Sequence, residues 1–188
     1  MIRVGFIGVP GAGKTSTARG LAAACRKIER LKNVELISEY ARRYISKYGP
    51  IENITDQYRI LQKQLEWEEN IPKEVNVLIT DSPVHLGFLY ALELRKLDDV
   101  KEAMYLNDIF KRLNKLNCPR RYDIIFHLPP VLEPIRDGVR SEQQFDSNWR
   151  KEADNKLQLI FDIFPPKKFI TINSTDLDDR VNECLGHF

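Results

Sequence analysis

Gly8-Val9-Pro10-Gly11-Ala12-Gly13-Lys14-Thr15 gives the spacing G-x-x-x-x-G-K-T near the start of a 188-residue chain. This spacing marks a phosphate-binding loop when a strand precedes it and a helix follows. Both flanks meet that condition. Ile2-Arg3-Val4-Gly5-Phe6-Ile7 reads as a buried strand, and Ala18, Leu21, Ala22, Cys25 and Ile28 share one face of a following helix. Glycines let successive N–H groups turn inward around phosphate oxygens. The helix that starts at Lys14 aims its positive dipole end at the same anions. Lys14 supplies a point charge for the β- and γ-phosphates, and Thr15 a hydroxyl for Mg²⁺. Gly8, Pro10, Gly11, Ala12, Gly13, Lys14, Thr15 and Ser16 are thus the expected cradle for ATP with Mg²⁺.

Four further apolar runs read as strands, at 34–38, 75–80, 122–128 and 168–172. Helical patterns lie at about 14–30, 55–71, 84–96, 99–117 and 141–163. The alternation predicts a three-layer α/β fold, with a five-stranded parallel sheet covered on both faces. At 188 residues, 43% hydrophobic and 30% charged, the chain fits one such domain over 1–188 and not two. A net charge of +2 is small for a non-specific DNA binder. Cys25, Cys118 and Cys184 lack metal-ligand spacing and read as inert thiols. No apolar run is long enough to span a membrane, and Met1 leads straight into the first strand. The expectation is a cytoplasmic protein without a membrane partner.

In a parallel sheet, functional residues gather beyond the carboxyl ends of the strands. Asp81 ends the third strand in Leu-Ile-Thr-Asp-Ser-Pro, where a carboxylate holds Mg²⁺, takes a proton from an attacking hydroxyl, or caps a helix. Glu39 and Arg42 follow the second strand. They suit contacts to an acceptor's hydroxyls and anionic groups, or equally a surface i,i+3 ion pair. Tyr40 and Tyr44 share a helical face that fits base stacking or core packing, and His85 sits beside the Asp81 loop within reach of a substrate. His127 falls in a buried strand and reads as a core histidine. After the fourth strand, Arg136, Arg140 and Arg150 sit in a segment, about 131–150, that suits a lid over the triphosphate or a solvated basic loop. Ser141 and Gln144 make a capping box for the next helix. The cluster Lys111, Arg112, Lys115, Arg120, Arg121 and Tyr122 reads as a solvated helix face.

Absences narrow the class. Asn114-Lys115-Leu116-Asn117 and Asn155-Lys156-Leu157-Gln158 lack the aspartate of a guanine reader, and Asp81 does not begin a DxxG switch. No second acid adjoins Asp81, unlike the Asp-Glu pair of many ATPases. A compact kinase remains, with one nucleotide site, one acceptor cleft and a lid.

The chain resembles the nicotinamide riboside kinase domain family and related small AAA-type P-loop kinases of bacteria and phages. The resemblance rests on 8–16, Ser-Glu-Tyr-Ala-Arg at 38–42, Thr-Asp-Ser-Pro at 80–83 and Asp-Gly-Val-Arg at 137–140. It implies a nucleoside-kinase-like P-loop fold, Glu39 on the acceptor sugar, and Arg140 in the lid. The family usually has Thr after the acid of strand three, whereas Ser-Pro-Val-His stands here. Tyr40, Trp67 and Trp149 are the candidates for an aromatic sandwich. In this architecture the loop at 172–176 passes the adenine ring. The expected reaction moves the γ-phosphoryl of Mg·ATP to a hydroxyl of a nucleoside-like acceptor. Lys14, Asp81, Arg140 and Glu39 serve the transfer, with Arg136 and Arg140 also on the nucleotide. Glu39, Tyr40, Arg42, Asp81 and His85 hold the acceptor, and Thr15 and Asp81 the metal. The alternatives are a kinase acting on hydroxymethylpyrimidine bases in DNA and a non-catalytic ATP-binding switch.

Overall fold

A computed structural model describes residues 1–94, 100–115, 121–134 and 142–188. Strands β1 (Ile2–Ile7), β2 (Val34–Ile37), β3 (Val77–Thr80), β4 (Ile124–His127) and β5 (Lys168–Thr171) form one sheet in the order β2-β3-β1-β4-β5. Every pairing is parallel, with Val4 opposite Ile79 on one side and Ile124 on the other. The three inner strands are apolar without alternation because helices cover both faces. The edge strands β2 and β5 expose Glu35 and Lys168.

Among the described residues seven α-helices accompany the sheet: α1 (Lys14–Arg26), α2 (Tyr40–Tyr48), α3 (Ile54–Glu69), α4 (Val84–Leu94), α5 (Val100–Lys115), α6 (Ser147–Ile163) and α7 (Leu177–Leu185). Right-handed crossovers put α1 on one face and α3 to α6 on the other. The packing agrees: α1 lies against α7, while α3, α4 and α5 pack together and α6 joins through α4. β1 is central, so the loop after it opens between the ends of β3 and β4. That is where strand direction out of the sheet's centre reverses and a ligand cleft forms.

Several boundaries differ from the sequence reading. The long helix placed at 141–163 begins at Ser147, capped by Asp146, which accepts from the Trp149 N–H at 2.7 Å. Glu142–Phe145 forms a separate 3-10 turn. Helix α2, of 9 residues, is foreshadowed in the sequence only by the helical face that Tyr40 and Tyr44 share, and α7, also of 9 residues, lies outside the predicted helices. Both are too short to show a periodic stripe over several turns, and α2 buries Tyr44 alone. Arg136, Arg140, Ser141, Cys118 and Arg120 lie outside the described residues. Cys25 and Cys184 are buried free thiols. His127 is a core histidine, its Nε2 donating to Asp154 at 2.9 Å.

Candidate active site

The phosphate loop is shaped by what surrounds its glycines. A Cβ on Gly8 would stand 2.4 Å from the Leu128 carbonyl oxygen, and one on Gly13 would stand 2.5 Å from Arg180 Nη1. Gly13 also has φ 90°, a left-handed conformation that L side chains resist. It caps α1 with no side-chain hydrogen bond, and the first turn of α1 holds no acidic residue. The N–H groups there are left for an anion. The segment after β4 passes over the loop, with Leu132 beside Gly13 and Pro134 beside Gly11. Arg150 holds that segment by donating from Nη2 to the Leu132 carbonyl at 2.9 Å.

Lys14 Nζ bends back over the loop, donating to the Gly8 carbonyl at 2.7 Å and the Val9 carbonyl at 3.1 Å. Thr15 Oγ1 donates to Asp81 Oδ2 at 2.6 Å. The other carboxylate oxygen, Asp81 Oδ1, is buried with no hydrogen-bond partner among the described residues. A buried carboxylate oxygen left so costs about 1–3 kcal/mol in lost hydration. A hard cation beside it would remove that penalty. Pro83 packs across β1 where Gly5 has no Cβ, since one would meet Pro83 Cγ at 2.6 Å. That close approach seats the Asp81-Ser82-Pro83 turn beside the loop.

Glu39 stands at the N-cap of α2 yet makes no capping hydrogen bond. Its carboxylate caps no backbone N–H and instead makes an i,i+3 ion pair with Arg42 of α2, 3.4 Å from Nε, with side-chain exposures of 21% and 42%. Burial pushes the Glu39 carboxyl above the usual carboxylate range. Lys14 pulls it down, Asp81 adds to the rise, and Arg42 opposes it. One electrostatic neighbourhood therefore joins Glu39, Lys14 and Asp81. Beyond Glu39, Tyr40 meets Trp67 edge-on with centroids 5.0 Å apart, and Arg43 lies over the Trp67 ring at 4.8 Å. A groove of about 310 Å³ is lined by Tyr40, Tyr44, Tyr48, Arg59 and Lys63. Trp149 packs against the hydrophobic core instead.

Three sequence expectations need correction. His85 is fully buried against Phe161, Tyr122 and Phe164, so it does not face a substrate. Desolvation, with help from Arg121, drives its pKa down to about 3, and the ring is neutral. Arg150 is buried under the segment after β4 rather than poised in solvent. Arg121 and Tyr122 are not part of a solvated face. Arg121 Nε donates to Glu68 at 2.9 Å, and the Tyr122 hydroxyl meets both Glu68 oxygens at 2.9 Å.

Two residues escaped the sequence reading. Glu68 is buried on α3, and through Tyr122, whose hydroxyl accepts from the Val84 N–H at 3.2 Å, it braces the start of α4 just past the Asp81 turn. Its signal was present: Gln57, Gln64 and Glu68 lie on the same helical stripe as Ile60, Leu61 and Leu65. Arg180 is buried on α7 and donates from Nη1 to the Ala12 carbonyl, within the phosphate loop, at 2.9 Å. Nothing local to its sequence marks it.

Comparison with known proteins places this geometry. No curated protein matches the chain by sequence. Among solved structures, NadR in complex with NR superposes with a TM-score of 0.74 at 22% identity, over 98% of this chain and 52% of that one. The chain thus spans about half the length of NadR. Thymidylate kinase from Ehrlichia chaffeensis matches with a TM-score of 0.64 at 17% identity, covering 99% of this chain and 97% of that one. Deoxyadenosine kinase from M. mycoides with bound dATP gives 0.59 at 17%, over 99% and 98%. These likenesses establish the P-loop fold shared with nucleoside and nucleotide kinases. The AAA domain family matches residues 3–180, and the chain belongs to that family.

Proposed function

We propose that the chain is a kinase that transfers the γ-phosphoryl group of ATP to a hydroxyl of a nucleoside-like acceptor. The observation that carries this reading is the convergence of Thr15, Asp81, Lys14 and Glu39 at the carboxyl ends of β1, β2 and β3. A nucleotide site needs the first three. Glu39 adds a carboxylate that caps no backbone N–H and pairs only at the half-exposed edge with Arg42, on the side where an acceptor would lie. Solved NadR structures hold NR and, in another crystal, AMP-PNP, which fits a donor and an acceptor in such a fold.

Thr15 and Asp81 fit Mg²⁺. They offer hard oxygen ligands only, and Mg²⁺ completes its shell with water and phosphate rather than with a full protein cage. Among the described residues no cluster of three or more His, Cys, Asp or Glu side chains suits another metal. When bound, Mg²⁺ neutralises charge on the β- and γ-phosphate oxygens. Lys14 leaves its loop carbonyls to hold the same oxygens, and the α1 N-terminus supports them. Glu39 and Arg42 orient the acceptor. Asp81 or Glu39 accepts the proton from the attacking hydroxyl. Burial raises the Glu39 carboxyl above its ordinary value, which makes it a stronger base than a solvated carboxylate.

The tyrosine groove favours a second acceptor, a hydroxymethylated pyrimidine within DNA. Stackable rings beside Arg59 and Lys63 suit a base and its flanking phosphates. The test is transfer of label from γ-labelled ATP with Mg²⁺ to three pools: free nucleosides including nicotinamide riboside, nucleoside monophosphates, and DNA carrying hydroxymethylpyrimidines. Label on a free nucleoside supports the main reading. Label on DNA alone moves the acceptor to the second. Tight ATP binding with no transfer to any pool would leave a nucleotide-binding switch and overturn both.

A further inference from the structure

We propose that Arg180 is a positioning residue for the donor phosphates, fixing the direction of one loop amide and tying the loop to the turn after β5. This rests on the kinase reading above.

The guanidinium spans two backbone carbonyls. Nη1 donates to Ala12, and Nε donates to Ser174. In a trans peptide the C=O and the following N–H point in opposite directions. Holding the Ala12 carbonyl on the α7 side therefore turns the Gly13 N–H toward the interior of the loop. That amide is the one next to Lys14, at the mouth of α1. The missing Cβ of Gly13 is what lets Nη1 come so close. Gly20 performs the same service two helix turns on: a Cβ there would stand 2.6 Å from Val181 Cγ2, so α7 approaches α1 closely enough for Arg180 to reach.

The other end of the bridge is equally fixed. Ser174 Oγ donates to Glu183 Oε2 at 3.1 Å, and Asp176 caps α7 by accepting from the N–H groups of Asp178 and Asp179. Arg180 is thus a strut between a braced turn and a loop that must present its amides to phosphate. Packing alone is a poor reason for this residue. Its Nη2 is buried with no partner among the described residues, a penalty that an apolar side chain of similar length would not incur. Lysine does not replace it, since one ammonium lacks the rigid fork that reaches both carbonyls.

The experiment compares wild-type protein with Arg180→Lys and Arg180→Met. It measures AMP-PNP affinity by calorimetry, KM for ATP and for the acceptor, kcat, and the melting temperature. Expected is a loss of about 10–100-fold in AMP-PNP affinity and in kcat/KM for ATP. The acceptor KM stays at its wild-type value, and the methionine variant melts no lower than wild type. Wild-type AMP-PNP affinity in both variants would overturn the proposal. So would equal losses on donor and acceptor constants that track a falling melting temperature. If the methionine variant does not fold, the lysine variant decides alone by the same donor-against-acceptor split. Absence of AMP-PNP binding by the wild-type chain would instead overturn the kinase reading and this inference with it.

Discussion

The proposed donor end and the proposed acceptor end of the cleft are built differently. Around the phosphate loop nearly every position is fixed from outside: Leu128 behind Gly8, Pro134 against Gly11, Arg180 against Gly13, and Asp81 on Thr15. At the proposed acceptor end, α2 buries one residue, carries with Glu39 an ion pair half in solvent, and presents three tyrosines to a groove. Phosphates are the same in every nucleotide, so a rigid cradle serves any donor with a triphosphate. Acceptors differ in shape, and a lightly packed short helix is the part that varies at least cost to the core.

Breaking the donor end should have the largest effect. Lys14→Ala removes the charge aimed at the transferring phosphoryl group and should lower kcat by about 10²–10³-fold, with an unchanged melting temperature. Steady-state transfer and a thermal melt on the same sample check both halves. Undiminished turnover in folded protein would show that the loop is not the donor site.

Glu39→Gln should be milder and should separate function from stability. Losing a charged hydrogen bond to the acceptor costs about 10–100-fold in kcat/KM for the acceptor, with the ATP constant unmoved. Because burial raises the Glu39 carboxyl, its folded-state pKa lies above its unfolded value, and its ionisation weakens the fold as pH rises through that value. The glutamine variant should therefore melt at or above the wild-type temperature at neutral pH. An activity loss spread equally over donor and acceptor constants would blur the distinction between the two ends.

His85→Phe sharpens the boundary from below. His85 titrates near pH 3 in the fold, against about 6.5 in an unfolded chain. Between those values the unfolded state binds more protons. Wild-type stability should therefore fall with acidification by up to about 1.4 kcal/mol per pH unit. The phenylalanine variant should lose that slope while transfer at neutral pH stays the same. Melts from pH 4 to 8 decide it, and an unchanged slope would remove His85 from the core assignment.

The sheet and the phosphate loop were legible because their signals are local: unbroken apolar runs for strands covered on both faces, and a fixed glycine spacing ahead of an amphipathic helix. Helix α2 was legible only in the face shared by Tyr40 and Tyr44 and α7 not at all, since nine residues hold too few turns to fix an element's bounds. The roles of Glu68 and Arg180 depend on partners far along the chain, Arg121 and Ala12, that no short window contains. His85 misled for the opposite reason. Four residues from Asp81 is close in sequence, but one helical turn carried the ring into an aromatic pocket under the sheet. Arg121 misled likewise, since a basic run looks solvated until a buried carboxylate claims one of its members.

If the phosphate loop, Thr15 and Asp81 make one metal-dependent nucleotide site, AMP-PNP binding with and without Mg²⁺, in wild-type protein and in Asp81→Asn, should reveal it. Mg²⁺ should tighten binding to the wild type. The asparagine variant should keep the metal-free affinity but lose the gain. An equal Mg²⁺ effect in both proteins would rule out such a joint site.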